Sequence, residues 1–312
     1  MTSSDKYTTL ASWPLAIIRA LDAQGIDPKK TLEAANLDFN EMQSSPEKRV
    51  PVAKMTEFWR QTELKTNDPA FGMKVGSYVQ FMNFRALGML LVTCENLAEG
   101  LEKTIRYHAV ISDSVSTQLA HKVDATGLII SPISGVKISP LAIDAFFSSV
   151  VKLCQDILGD HKLIIGIELM RPEPENPKAW LSFFDCPVTF NATNNCLWLN
   201  REKLSQPTNL GDAQLAHQNE QAVQQYLDNM KASSWSERTL QVIHKMLSSH
   251  EPSIADVANM FHVNERTLSR RLKEEETTFR QLLQEKRIEL AEYYLTQTTL
   301  SITEITFNLS FT

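Results

Sequence analysis

Arg266, Ser269, Arg270 and Lys273 share one face of any helix drawn through them, because Leu268 and Leu272, four residues apart, claim the opposite face. Residues 266–273 hold four positive side chains and no negative one, in a chain whose net charge is −6. An arginine can donate two hydrogen bonds to O6 and N7 of guanine, and a serine hydroxyl bonds base edges or phosphate. This is the chemistry of a major-groove reader, and with Thr267 it gives five candidate DNA contacts. The same spacing also fits a helical hairpin with a solvated basic face, so the neighbouring elements must separate the two readings.

Those elements are legible. Ser253, next to Pro252, caps a short helix whose inner face holds Ile254, Val257, Ala258 and Phe261. His262–Asn264 makes a tight turn, and Asn264 caps the next helix, Glu265 to about Glu275. Phe279, Leu282, Leu283, Ile288, Leu290 and Ala291 then build a longer helix over 279–295. After it, Ser301-Ile-Thr-Glu-Ile-Thr-Phe-Asn-Leu echoes Ser253-Ile-Ala-Asp-Val-Ala-Asn-Met-Phe, 48 residues later. Two helix-turn-helix starts bridged by one helix form a specific pattern.

On these residues the segment from about Leu240 to Thr312 resembles the AraC/XylS family of bacterial transcription regulators. The resemblance implies two helix-turn-helix units on a connecting helix, about 253–275 and 300–312, set in successive major grooves. It places base reading on Arg266, Ser269 and Arg270, and the connecting helix on Arg280-Gln-Leu-Leu-Gln-Glu-Lys-Arg-Ile-Glu-Leu-Ala. Two departures are visible. Ser310 stands where the family usually has Gly, and the sequence stops at Thr312, before the second recognition helix. Ile302, Ile305 and Leu309 would then lack that helix to pack against, so mobility is expected after about residue 298 unless they find other cover. Residues 237–312 carry 9 Lys and Arg against 11 Asp and Glu, so the basic character is local to one face.

The earlier part of the chain has a more diffuse likeness over residues 13–215. It rests on Val50-Pro-Val, Asp68-Pro-Ala-Phe-Gly-Met, Phe84-Arg-Ala-Leu-Gly, Leu97-Ala-Glu-Gly-Leu and Phe184-Asp-Cys-Pro-Val-Thr-Phe-Asn. These resemble the regulatory domains of ornithine- and virulence-type regulators, not the small cupin barrel of the arabinose sensor, and imply an effector-binding or dimerising domain. Periodicity agrees with a mixed composition. Helices are expected at 13–24, 28–35, 52–64, 98–111 and 140–158. A hairpin is expected around an Asp124–Gly127 turn, and strands at 163–170, 188–190 and 196–199. The fold class is α+β: a mixed α/β regulatory domain over 1–230, a linker over 231–236 and an all-α domain over 237–312.

For an effector, Phe81, Phe84, Arg85, Tyr107 and His108 combine aromatic surface with polar anchors, as small-molecule sites do. Arg85 or Arg106 could hold a carboxylate. The competing reading places the aromatics in the core and the arginines on the surface. The seven histidines and four cysteines show no metal-ligand spacing, and there is no phosphate loop, dinucleotide fingerprint or nucleophile elbow. No metal, cofactor or enzymatic activity is therefore expected. Cys186 and Cys196 flank an apparent strand–turn–strand and could pair on oxidation. The longest apolar runs, Ala86–Val92 and Leu163–Met170, fall far short of the roughly 20 residues of a membrane span. The sequence thus points to a cytoplasmic regulator whose partners are double-stranded DNA and a small molecule, with RNA polymerase and a second copy of the chain as further candidates. Its rivals are an adaptor whose C-terminal helices bind a protein, and a metabolic enzyme fused to a DNA reader.

Overall fold

A computed structural model describes residues 7–159, 162–247, 250–297 and 301–310, and the chain divides into two units, Met1–Gln225 and Tyr226–Thr312. The first unit opens with β1 (Thr8–Leu10), α1 (Pro14–Asp22), α2 (Lys29–Ala34), α3 (Phe39–Ser44), β2 (Arg49–Pro51) and α4 (Val52–Thr66). It continues with α5 (Phe71–Gly76), α6 (Arg85–Thr93), α7 (Leu97–Arg106), β3 (Val115–His121), β4 (Ala125–Pro132) and α8 (Pro140–Leu158). After these come β5 (Ile164–Glu168), α9 (Lys178–Phe184), β6 (Val188–Thr189), β7 (Asn195–Asn200) and α10 (Arg201–Leu204), and α11 (Ala213–Ser233) crosses the boundary between units. Local chemistry sets several of these ends. Pro14 and Pro140 sit in first turns, where a missing N–H costs nothing. Asn96 Oδ1 accepts from Glu99 N at 2.9 Å to cap α7, and Asn67 closes α4 in the left-handed region.

The strands form an open sheet in the order β3-β4-β7-β5-β6, antiparallel except for β5 with β6, while β1 and β2 pair separately. This open sheet agrees with the α+β reading and is not a barrel. Gly127, expected in the hairpin turn, lies within β4 opposite Ala120 and Trp198. A Cβ there would come within 2.7 Å of the Trp198 ring, so the glycine serves a close approach between strands, and Lys122–Asp124 makes the turn. Helix α5 packs directly on α8, and a Cβ at Gly72 would overlap the carbonyl oxygen of Leu141. No helical period marks α6, because Ala86–Val92 is apolar on every side and has no polar face. The four cysteines are free thiols. Cys186 and Cys196 do not pair, because β5 lies between β6 and β7.

One charged pair is set into this core. Asp144 of α8 is wholly buried and pairs with Arg171, whose guanidinium lies 4.7 Å over the Trp180 ring and donates to Pro69 O at 3.3 Å. Burial pushes the Asp144 carboxyl from 3.8 up to about 6, against the pull of Arg171. Between those values the folded protein holds a proton that the unfolded chain has lost. The contribution of Asp144 to stability is therefore full below pH 3.8 and is lost as pH rises through about 6. At about 1.4 kcal/mol per pH unit the loss approaches about 3 kcal/mol. Urea unfolding of wild type and Asp144→Asn, from about pH 3.5 to about pH 7, should show their stability difference moving by about this amount. A difference flat with pH contradicts the assignment.

The second unit is helical among its described residues: α12 (Trp235–Leu247), α13 (Ile254–Met260), α14 (Glu265–Glu274), α15 (Phe279–Gln297) and α16 (Ile302–Asn308). Residues 231–236, expected as a linker, are instead helical at both ends. Lys231–Ser233 extend α11, Ser234 alone lies outside helix, and Trp235 begins α12. With neither Gly nor Pro in the stretch, the interruption is confined to Ser234. Ile243, Leu247, Val257, Ala258, Leu268, Leu272, Leu282, Ile305 and Leu309 are among the residues of one apolar cluster. Ile305 and Leu309, expected to lack cover, are therefore covered, while Ile302 is 77% exposed. Residues 298–300 and 311–312, where mobility was expected, lie outside the described residues.

Candidate functional site

The basic face of α14 is fixed by what its other face buries. Leu268 and Leu272 are wholly buried, and the caps on either side hold the helix in register. Ser253 and Asp256 form a reciprocal box at the start of α13, with Ser253 N donating to Asp256 Oδ2 at 2.9 Å and Asp256 N to Ser253 Oγ at 3.1 Å. The Ser253 hydroxyl, donating to Asp256 Oδ2 at 2.6 Å, and then its N–H hold the Asp256 carboxyl below its usual range. His262 turns the chain in the left-handed region at φ 55°. Asn264 Oδ1 then accepts from Thr267 N at 2.8 Å and starts α14. With this geometry Arg266, Ser269, Arg270 and Lys273 are all exposed, and Thr267 is half-buried in the first turn.

The four cations of this stretch are not equivalent. Arg266 and Lys273 have no ion-pair partner among the described residues. Arg270 lies 2.5 Å from Glu274, which also receives Arg271 at 3.3 Å. Arg271 sits 5.9 Å from the Trp235 ring, on the side of α14 toward α12, so it is separated from the face that Arg266 and Arg270 share. Glu275, which the sequence reading did not single out, accepts from Trp235 N and Ser236 N at 2.8 Å and from Ser234 Oγ at 2.9 Å. Burial opposes its charge, but these hydrogen bonds outweigh burial and keep its carboxyl below the usual range. It thereby caps α12 from the end of the candidate recognition helix, a contact across 40 residues that no local pattern reveals.

The second half of the repeat keeps the same local chemistry. Ser301 N donates to Glu304 Oε2 at 2.8 Å and Glu304 N to Ser301 Oγ at 3.3 Å, copying the box of α13. Ser310 takes φ 51°, as His262 does 48 residues earlier. A left-handed turn suits glycine, which explains the family preference noted above. Here the serine Oγ donates to Leu247 O at 2.7 Å, a bond glycine could not make. Arg287 of α15 ties the turn down by donating to Leu309 O at 3.1 Å and Ser310 O at 2.9 Å.

In the first unit a cavity opens between the β3–β4 hairpin and helices α4, α7 and α8, with an empty volume of about 840 Å³ that includes its mouth. Of the five residues proposed for a ligand, only His108 lines it. Phe84 stacks on Trp13 at 5.6 Å in the core and lines a smaller adjoining void. The Tyr107 hydroxyl donates to Glu220 at 2.8 Å. Phe81 packs against the core from a 3-10 turn over Phe81–Phe84, and Arg85 begins α6 at φ 55° without reaching the cavity. Arg106 is outside it too, 3.8 Å from Glu220. The lining residues that were missed, such as Met55 and Trp59 on one face of α4 and Phe146 of α8, come from elements far apart in sequence. Only the Met55/Trp59 spacing was a visible signal, and it reads equally as core.

Residues 25–208 match the family described as "Arabinose-binding domain of AraC transcription regulator, N-term", and residues 257–312 match one described as "Helix-turn-helix domain". The chain is similar to the ornithine utilization regulator of Pseudomonas aeruginosa, at 20% identity over 302 residues, covering 95% of this chain and 87% of that protein. It also aligns with the crystal structure of the transcriptional regulator CdpR from Pseudomonas aeruginosa, at 19% identity and TM-score 0.47, covering 90% of this chain and 88% of that one. No described helix is long and apolar enough to cross a membrane. With one match spanning more than half of the sequence and another ending on the paired helix-turn-helix starts, the chain belongs to the AraC family of transcription regulators.

Proposed function

We propose that α14 reads base edges in the major groove through Arg266, Ser269 and Arg270, that Thr267 and Lys273 contact the phosphate backbone, and that the first unit governs this binding by taking up a small molecule. The observation that carries the reading is the division of α14 itself: a wholly buried Leu268/Leu272 seam, with an exposed basic face opposite it. A ligand acts on such a protein only through different affinities for its DNA-competent and DNA-incompetent arrangements. A second copy, joined through the first units, would bring two reading helices to paired half-sites and raise affinity by linkage. The reading places the protein in the cytoplasm with duplex DNA and RNA polymerase, and assigns it no catalytic step. Selection of bound duplexes from a randomised library by the full chain tests it. Enrichment of one sequence pattern is expected, and a pool that stays random after repeated rounds overturns specific reading.

A further inference from the structure

We propose that the cavity between the β3–β4 hairpin and helices α4, α7 and α8 takes an uncharged, largely apolar molecule bearing a hydroxyl group, and that this molecule is the effector. The second clause rests on the ligand-responsive reading above, whereas the first stands on the cavity alone.

The walls are apolar: Trp13, Met55, Trp59, Leu128, Ile143 and Phe146 are among them. Not one Asp, Glu, Lys or Arg lines the cavity among the described residues. A carboxylate or ammonium placed here would leave water with no charge to meet it, which is strongly unfavourable. This chemistry turns away the carboxylate-bearing effector that Arg85 or Arg106 would have held. It also disfavours a sugar, whose many hydroxyls each need a partner.

The polar groups in the walls narrow the choice further, because most of the hydroxyls already donate within the protein. Thr9 Oγ1 donates to Ile111 O at 2.8 Å, Thr56 Oγ1 to Val52 O at 3.0 Å and Thr104 Oγ1 to Gly100 O at 2.8 Å. Ser112 and Ser114 bond each other at 2.7 Å. Two groups differ. His108 Nδ1 lies 2.8 Å from Ile105 O. A carbonyl can only accept, so Nδ1 carries a proton, and in that tautomer Nε2 is the ring's acceptor. Thr117 Oγ1 is buried in the wall with no hydrogen-bond partner, and one rotamer step brings a threonine hydroxyl to the place of its methyl group. A buried hydroxyl left unmatched is costly. A ligand hydroxyl answers both, donating to His108 Nε2 and accepting from Thr117, while its apolar body fills the space between the aromatic walls.

Isothermal titration of the full chain with two matched pairs tests the ligand class: 1-naphthol against 1-naphthoate, and octan-1-ol against octanoate. At least one alcohol should bind roughly tenfold more tightly than its carboxylate partner. Thr117→Val and His108→Phe should each weaken that alcohol several-fold, and filling the cavity by Ala142→Trp or Ile138→Trp should abolish binding. Two filling variants are used so that misfolding of one, seen by circular dichroism, does not decide the result. Carboxylates that bind as well as the alcohols, two alcohols that fail to bind, or binding that survives a folded filling variant would each overturn the assignment. The effector role is read separately, from the affinity of the chain for its selected duplex with the alcohol saturating. A several-fold change supports it. An unchanged affinity retains the ligand class and overturns the regulatory role.

Discussion

Leu268→Asp is expected to abolish duplex binding completely while the first unit stays folded. Leu268 is wholly buried in the cluster that joins α12, α13, α14 and α15, beside Val257, Ala258 and Leu272. Truncating such a leucine to alanine costs about 2–5 kcal/mol through lost transfer energy and the cavity left behind. An aspartate adds the penalty of a buried charge with no partner. Together these approach the whole stability of a small unit, about 5–15 kcal/mol. Because the contacts of Leu268 belong to the second unit, the damage should stop there. Limited proteolysis should leave a protected fragment ending within about residues 226–236, with α12 onward digested. Degradation of the whole chain would show that the two units do not fold independently. Continued protection of the second unit would show that α14 does not rest on this residue.

Replacing Arg266 and Arg270 together with alanine should cost about 2–6 kcal/mol on the selected duplex, from about 1–3 kcal/mol for each bidentate contact to a base. Arg266 needs no rearrangement, since it has no ion-pair partner among the described residues. Arg270 must leave Glu274, from which it lies 2.5 Å. Its side chain is 59% exposed, and an exposed pair of this kind contributes only about 0–1 kcal/mol, so guanine competes for it easily. The loss should be much smaller on a scrambled duplex, where only phosphate contacts remain. Fluorescence anisotropy on both duplexes measures the difference. Equal losses on the two would make these arginines phosphate contacts and move base reading elsewhere.

The second unit was largely legible in the sequence because its determinants are local. The four-residue step from Leu268 to Leu272 divides α14, and the pairs Ser253/Asp256 and Ser301/Glu304 mark helix starts within four residues. The expectation for Ile305 and Leu309 was too pessimistic, because their cover comes from helices earlier in the chain. In the first unit, spacing located α4 and α8, and two short runs about a turn located the β3–β4 hairpin. It missed α6, which has no polar face, and β1 and β2, three residues each. The cavity was the least legible feature. Its lining comes from stretches between Thr9 and Phe146 that meet only in the fold, and aromaticity alone cannot separate Phe84, stacked on Trp13 in the core, from Trp59 at the cavity wall. The helical state of residues 231–233 and 235–236 was hidden for a related reason. Serines at 233, 234 and 236 look like a break, yet Glu275, far along the chain, supplies the hydrogen bonds that begin α12 at once.

The central claim is that the exposed face of α14 meets DNA and not a protein. Titrating the full chain against its selected duplex over a range of salt concentrations tests this most directly. Each phosphate neutralised by Lys or Arg releases counterions and steepens the fall of log affinity with log salt by about 0.9. The account predicts a linear plot with a negative slope, flattened by about 0.9 when Lys273 is replaced by alanine. A slope near zero, or a slope indifferent to Lys273→Ala, Arg266→Ala and Arg270→Ala alike, would contradict it and return the face to an adaptor that binds a protein partner.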